Sequence, residues 1–342
     1  MNNTKNILLK GLNEDVFPCY SAWISKDDEI LFQEAKGYAQ LYPDKVPVDK
    51  DTLFDMASLT KVMCTTILTM KLMEMGELSL SDKLSRFFDA PEDKRGITIG
   101  HLLTHTSGLM PHLDFFNSKT PYDQVESVIF SSILCAPLGE RVIYSDNGFI
   151  LLGKICEMIT GMDLDALGKA WIYEPLGMTH TSFYPQGDNI AATEYDPTTE
   201  SYVKGIVHDD NARNFGKPCG HAGLFSTVGD VATFCAMLLN GGRPLLSDAA
   251  YTLMTRNHTP NLNIARTLGF CYQDGRDFFG GDFVSLSSFG HTGFTGTSIC
   301  IDPVERAFAI LLTNRVHPTR DNRKILSYRP RFHNAVWADI TE

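Results

Sequence analysis

Ser58-Leu59-Thr60-Lys61 opens a long apolar helical pattern that runs to Met75 and stops at Gly76. On a helix, positions i and i+3 share a face, which brings the Ser58 hydroxyl and the Lys61 ammonium within reach of each other. A serine activated by a neighbouring amine is suited to acyl transfer. Burial and the positive end of the helix dipole are both expected to disfavour the charged form of Lys61, leaving it able to take the serine proton. The same dipole would stabilise an oxyanion. The spacing alone is weak, since Ser201-Tyr202-Val203-Lys204 repeats it in a polar stretch with no helix behind it. A helix-capping serine followed by a solvated lysine would also produce it.

Two further clusters carry candidate chemistry. Tyr144-Ser145-Asp146-Asn147 precedes an apolar helical pattern from Gly148 to Thr160. Asp146 or Asn147 is suited to cap that helix; alternatively Tyr144 is a phenol that relays a proton to a leaving group, with Asp146 and Asn147 orienting substrate. Gly290-His291-Thr292-Gly293-Phe294-Thr295-Gly296 comes just before a strand pattern at Thr297 to Ile301. Glycines there suit either a substrate lying against the strand edge or a tight hairpin. His101 and His105 have metal-ligand spacing, but Leu102 stands where a base would be needed, so they read as structural and no metal site is expected. There is no G-x-S-x-G elbow.

These clusters must be positioned by a scaffold, and the pattern of elements suggests one. Strand-like pieces at Tyr20 to Ile24 and Glu29 to Gln33, with a turn at Lys26-Asp27-Asp28, occupy the N-terminal end. Thr297 to Ile301 and Ala307 to Thr313 supply strands near the C-terminus, before a last helix near Phe332 to Ile340. Between them lie helices and loops, a polar extended stretch over 185–220, and a helix from Asp230 to Asn240. One sheet built from both ends with a helical insertion is the expected fold, and the cleft between the two parts is the expected site.

With 342 residues, 43% hydrophobic and 21% charged, the chain has ample core for such a fold. Thirty Lys and Arg against 41 Asp and Glu give a net charge of −11, which argues against a nucleic-acid partner. The locally basic stretch from Arg315 to Arg331 reads as a salt-bridged surface face. No apolar run is long enough for a membrane span. Eight scattered cysteines without a CxxC pair suit a reducing compartment, and the expectation is a cytoplasmic protein.

Taken in order, the SxxK helix start, the Tyr-Ser-Asp before an apolar helix and the His-Thr-Gly strand resemble the serine β-lactamase and penicillin-binding-protein superfamily. The class C β-lactamase-like branch, with its D-aminopeptidase, D-Ala carboxypeptidase and esterase relatives, is the nearest match. Ile97-Thr98-Ile99-Gly100-His101-Leu102-Leu103-Thr104-His105-Thr106-Ser107-Gly108-Leu109 and Gly220-His221-Ala222-Gly223-Leu224-Phe225-Ser226-Thr227 resemble further segments of that branch. The likeness runs from about Phe17 to Asn314. It implies an α/β fold, mainly an antiparallel sheet flanked by helices, with an α/β part at about 1–62 and 215–342 and a helical part at about 63–214. It also implies Ser58 as acylated nucleophile, Lys61 as its base partner, Tyr144 as proton relay, and an oxyanion hole made by the Ser58 and Phe294 backbone N–H groups. Asp146, Asn147, His291, Thr292 and Gly293 would bind a small-molecule or peptide substrate, without cofactor.

Two departures shape the expected substrate. His291 stands where penicillin-recognising members have lysine, and Asp146 where many relatives have asparagine. The first change removes a fixed positive charge and the second adds a negative one, so an ester, amide or D-amino-acid peptide lacking a carboxylate near the scissile bond is favoured over a β-lactam. A D-Ala carboxypeptidase, a weak class C β-lactamase or a non-catalytic sensor of β-lactams or muropeptides are the alternatives. Ser145-Asp146-Asn147 also spells the other branch's S-D-N, which leaves Ser145 as a second candidate relay.

Overall fold

The computed structural model describes residues 1–342 and joins the two ends of the sequence in one sheet. Its N-terminal strands are β1 (Cys19–Lys26), β2 (Glu29–Gln40) and β3 (Val46–Pro47), followed by a short β4 (Phe54–Asp55). A small hairpin of β5 (Tyr195–Asp196) and β6 (Ser201–Tyr202) lies in the middle of the chain, and β7 (Phe225–Ser226) returns to pair with β4. The last four strands are β8 (Cys271–Tyr272), β9 (Phe289–Thr292), β10 (Ser298–Asp302) and β11 (Ala307–Thr313). The main sheet runs β3-β2-β1-β11-β10-β9-β8 and is antiparallel throughout.

The centre of the sheet follows from two apolar runs. All seven residues of β11 are buried, as are six of the eight in β1, so both faces of these strands must be covered. They pair from Tyr20 with Thr313 to Lys26 with Ala307. The β1–β2 turn falls where the sequence placed it. Asp27 and Asp28 adopt φ of 49° and 65°, the left-handed pair of a tight hairpin, and Arg306 reaches both carboxylates at 3.1 and 3.2 Å.

One apolar core of 62 buried residues extends from Cys19 and Ile310 in the sheet to Phe149 and Leu167 in the helical part, so the insertion has no separate core. A second cluster of 18 lies on the opposite face, beneath the helices Asn2–Asn13 and Ile325–Ile340. The N-terminal helix has no counterpart in the sequence reading. The C-terminal helix starts before the expected Phe332 because Ile325, Tyr328 and Arg329 are already buried, and packing carries it through Pro330. The stretch 185–220 is not all loop: besides β5–β6 it holds a helix at Asp210–Phe215, capped by the Asp209 carboxylate. No helix is long and apolar enough to cross a membrane.

The glycines around β9 are explained by the protein's own neighbours. A Cβ on Gly290 would lie 2.1 Å from the Ile299 carbonyl oxygen, and one on Gly293 would lie 2.1 Å from Thr297 Oγ1 and 2.6 Å from the Met56 carbonyl. Gly296 turns the β9–β10 hairpin at φ 114°. The hairpin alternative therefore accounts for all three. Gly290→Ala should cost about 1–3 kcal/mol, because the ladder to β10 must open. Gly229→Ala, with only Thr227 Oγ1 at 3.9 Å and a helical position, should be neutral or stabilising by up to about 0.5 kcal/mol. Urea unfolding of the two variants checks the contrast.

Candidate active site

The turn that presents Ser58 is built by Asp55. Its buried carboxylate accepts the Ala57 N–H at 2.8 Å and the His208 N–H at 2.7 Å. Ala57 is held at φ 45°, a conformation that residues with a Cβ rarely adopt. Its carbonyl accepts both the Thr60 N–H and the Thr60 hydroxyl, at 3.0 and 2.6 Å. Strain of this kind persists only where surrounding bonds over-determine it. Ser58 then leads into one π-helical turn, Lys61–Thr65, before the α-helix Thr66–Glu74. Apolar spacing suggested a single regular helix; the widened turn leaves no trace in that spacing. Thr295 and Thr297 donate to the Asp55 and Met56 carbonyls at 2.7 and 3.2 Å, fastening the β9–β10 hairpin to the nucleophile turn.

Lys61 is fully buried, and its Nζ touches three oxygen atoms: Ser58 Oγ at 3.0 Å, the His221 carbonyl at 2.9 Å and Asp146 Oδ1 at 2.7 Å. An ammonium satisfies this set by donating three times, and a neutral amine would satisfy it by accepting from Ser58. Asp146 decides between them. Burial pulls the lysine pKa down, as the sequence reading expects, but the charge and hydrogen bond of Asp146, with help from Tyr144, more than reverse that pull. The net direction is up, so Lys61 is held as a cation at rest, and the expectation that burial and the helix dipole leave it uncharged is corrected. Against its own desolvation, Asp146 is held well below the carboxylate range by Lys61, with His112 adding to the effect. A second pair, with a buried histidine and a half-buried carboxylate, lies nearby. His221 Nε2 lies 2.9 Å from Asp209, which keeps the imidazole protonated despite burial.

The Tyr144 cluster separates into distinct jobs. Tyr144 lines the cleft beside Ser58, with Lys61 Nζ 5.0 Å from its ring centre and the His105 ring 4.5 Å away at a 37° tilt. Its hydroxyl is buried without a hydrogen-bond partner. Burial raises the phenol above its ordinary value, the Lys61 charge opposes this, and the net direction is upward. Ser145, not Asp146 or Asn147, caps the helix Asp146–Thr160; its hydroxyl accepts the Gly148 N–H and donates to the Met110 carbonyl at 2.8 Å. Asn147 is buried, donates to the same carbonyl at 2.8 Å and lines neither cavity at Ser58, so it is an anchor for the loop at Met110. His105 accepts the Ser145 N–H on Nδ1, and His101 closes the cap of its own short helix on Thr98.

Ser58 stands between two cavities. One, of about 510 Å³, is lined by Tyr144, His291, Thr292, Gly293, Phe294 and Arg266 among others. The other, of about 270 Å³, holds His112, Asp146, Asp209 and Asp210. Strand β8 pairs only with Phe289 and Gly290, which leaves His291 to Phe294 open to the first cavity. The Ser58 and Phe294 N–H groups donate no hydrogen bond within the chain. His291 is buried; desolvation first, then Arg266 and Lys61, push its pKa well down, so it is neutral.

Sequence reasoning missed the arginines of this cavity. Arg266, Arg315, Arg323 and Arg329 all line it, and no acidic side chain does. Arg266 is 6% exposed, its guanidinium lies 5.5 Å from the Tyr144 ring centre, and its Nε and Nη1 are buried without partners. Arg315 and Arg329 are 4% and 5% exposed, so the basic stretch is only partly the surface face expected of it. The premise that His291 leaves the cleft without a cation is therefore corrected: the charge absent from position 291 is supplied from other elements. No local spacing signals this, because Arg266 lies in a loop without a motif.

The sheet with its helical insertion, and a serine–lysine–tyrosine group at their junction, define the class of serine hydrolases that includes β-lactamases and penicillin-binding proteins. The chain belongs to the beta-lactamase family, whose pattern matches residues 6–329. A putative D-alanyl-D-alanine carboxypeptidase of Escherichia coli (strain K12) is 33% identical over 351 residues, covering 90% of this chain and 81% of that one. The octameric penicillin-binding protein homologue from Pyrococcus abyssi superimposes with a TM-score of 0.78 at 22% identity, over 99% of this chain and 77% of its own. EstCE1, described as a hydrolase with promiscuous acyltransferase activity, gives 0.80 at 22% identity over 98% of both chains. These two likenesses concern the fold alone. The resemblance read from the motifs, and the fold it implied, hold.

The Lys61–Asp146 pair yields a pH prediction. With Asp146 present, Lys61 is raised and stays protonated through neutral pH. Asp146→Asn removes the largest opposing influence, so burial then lowers the lysine pKa below its ordinary value. Because the ammonium is the working form of Lys61, the pH profile of kcat/KM should gain an ionisation on its alkaline side, with activity falling as pH rises through it. Identical profiles for the two proteins would contradict the assignment.

Proposed function

We propose that the chain is a serine hydrolase that forms an acyl-enzyme on Ser58, and that it removes a carboxylate-bearing residue from a short peptide or depsipeptide, as a D-Ala carboxypeptidase does. The observation that carries the reading is Ser58 Oγ, hydrogen-bonded to the buried Lys61 Nζ at 3.0 Å and lining one cleft with the Arg266 guanidinium, whose Nε and Nη1 have no partner. A buried guanidinium with free donors is suited to bind a carboxylate by two parallel hydrogen bonds. The name of the Escherichia coli relative agrees with that chemistry.

In this reading the substrate lies along His291 to Phe294, extending the strand, with its scissile carbonyl oxygen on the Ser58 and Phe294 N–H groups. Ser58 Oγ attacks the carbonyl carbon. Its proton passes to the Tyr144 oxygen as the Tyr144 proton passes to the leaving nitrogen or oxygen, and the carbonyl carbon–leaving group bond breaks. Lys61 remains an ammonium, holding the serine and lowering the cost of negative charge on the serine and phenol oxygens. Water then attacks the acyl-enzyme, and the same two oxygens return the protons in reverse. An alcohol or amine in place of water would make the product a transfer product.

The test compares two substrates that differ in one group. An N-acyl-D-alanyl-D-alanine should be hydrolysed with a kcat/KM about 10–100-fold above its C-terminal carboxamide, the worth of about 1.5–3 kcal/mol for a charged hydrogen bond. Arg266→Gln should erase that preference, and Ser58→Ala should abolish turnover of both. Equal rates on the two substrates would reject the carboxylate reading and favour the esterase expected from position 291. Turnover by Ser58→Ala would reject the acyl-enzyme itself.

A further inference from the structure

Resting on the acyl-enzyme reading, we propose that Arg329 is a positioning residue that orients and polarises the Gly293–Phe294 peptide group, strengthening its N–H as the oxyanion donor. The Gly293 carbonyl and the Phe294 N–H are two ends of one conjugated unit. Arg329 Nη2 donates to that carbonyl at 2.8 Å and to the Thr297 carbonyl at 3.1 Å. The Gly293 carbonyl also accepts the Gly296 N–H at 3.1 Å. Drawing electron density toward the oxygen leaves the amide hydrogen more positive, and charged donors do this more strongly than neutral ones. The N–H at the other end is unbonded, and Phe294 lines the cleft with Ser58.

The next peptide is held the same way. Arg315 Nε donates to the Phe294 carbonyl at 2.7 Å, and its guanidinium stacks 4.3 Å from the Phe294 ring centre. Neither arginine forms an ion pair with an acidic side chain; both donate only to backbone carbonyls. A buried cation without a counter-ion is costly. Desolvation, with Arg315 adding to it, pushes the Arg329 pKa down to about 9. If anchoring the hairpin to the C-terminal helix were the only need, a neutral donor would serve at lower cost. The positive charge is what a developing oxyanion uses.

Arg329→Lys keeps the charge with a single point donor, and Arg329→Gln keeps a donor without charge. Each is reacted with a p-nitrophenyl ester carrying carbon-13 at its carbonyl, and the acyl-enzyme is followed by rapid-mixing infrared difference spectroscopy. Removing an oxyanion donor outright costs about 10²–10³-fold, so weakening one should lower kcat about tenfold in Arg329→Gln. KM should stay near the wild-type value relative to that loss, and Arg329→Lys should fall between. The labelled acyl carbonyl band should move to higher wavenumber in the same order. Thermal melting is measured alongside; rates that follow melting temperature while the band stays fixed would reduce Arg329 to a structural anchor and overturn the proposal. Should Arg329→Gln fail to fold, the Arg329→Lys band decides alone. Absence of any acyl-enzyme in wild type would instead overturn the acyl-enzyme reading, and the proposal with it.

Discussion

The ion pair between buried Lys61 and half-buried Asp146 is the interaction on which the rest of the site depends. Taking the lysine charge out of water costs several kcal/mol, and only close geometry with full hydrogen bonding recovers it. Lys61, on the π turn, and the three groups that meet at its Nζ come from different parts of the chain: the nucleophile turn, the helix Asp146–Thr160 and the loop at His221. None of these segments could assemble the pair alone. Docking of the helical insertion against the sheet therefore creates the ion pair and the cleft in one event. The shared core that runs across both parts makes that docking permanent.

Charge is unevenly divided around Ser58. On one side Asp146, Asp209 and Asp210 are each paired with a cation, so that wall is polar but close to neutral. On the other side the arginines have no acidic partner among the residues of the cleft. In the proposed function, a substrate entering this field would be drawn by its negative end toward Arg266, with its carbonyl oxygen toward the strand that Arg315 and Arg329 hold. The strained Ala57 and the threonine bonds to Asp55 and Met56 fix the serine against the same strand. Position and field are set before substrate arrives, which is the condition for electrostatic stabilisation of a transition state.

What could be read from the sequence was what is encoded locally. The Ser58–Lys61 spacing, the phenol ahead of an apolar helix and the glycine-rich strand all rest on neighbours a few residues apart, and each falls at the cleft. The central strands were legible for the same reason, because a run such as Ala307–Thr313 suits burial on both faces. The proton state of Lys61 was not legible, since its sign depends on Asp146 arriving from another helix. Asn147 looked like a substrate ligand beside Asp146, yet one helical step turns it into the core. Arg266 and Arg329 carry no pattern; they matter only because the fold brings them to the cavity at Ser58. The N-terminal helix escaped notice because only Thr4, Leu8 and Gly11 of it are buried, too few to mark an amphipathic face.

The central claim is that Asp146 keeps Lys61 charged, so that the proton moves through Tyr144 rather than onto the lysine. Nuclear magnetic resonance of protein labelled with carbon-13 at the lysine ε position measures this directly, with the Lys61 signal assigned from its absence in Lys61→Arg. The account predicts an ammonium signal for Lys61 that does not titrate between about pH 6 and pH 9. Deprotonation inside that range would contradict it, and would return the role of general base to Lys61.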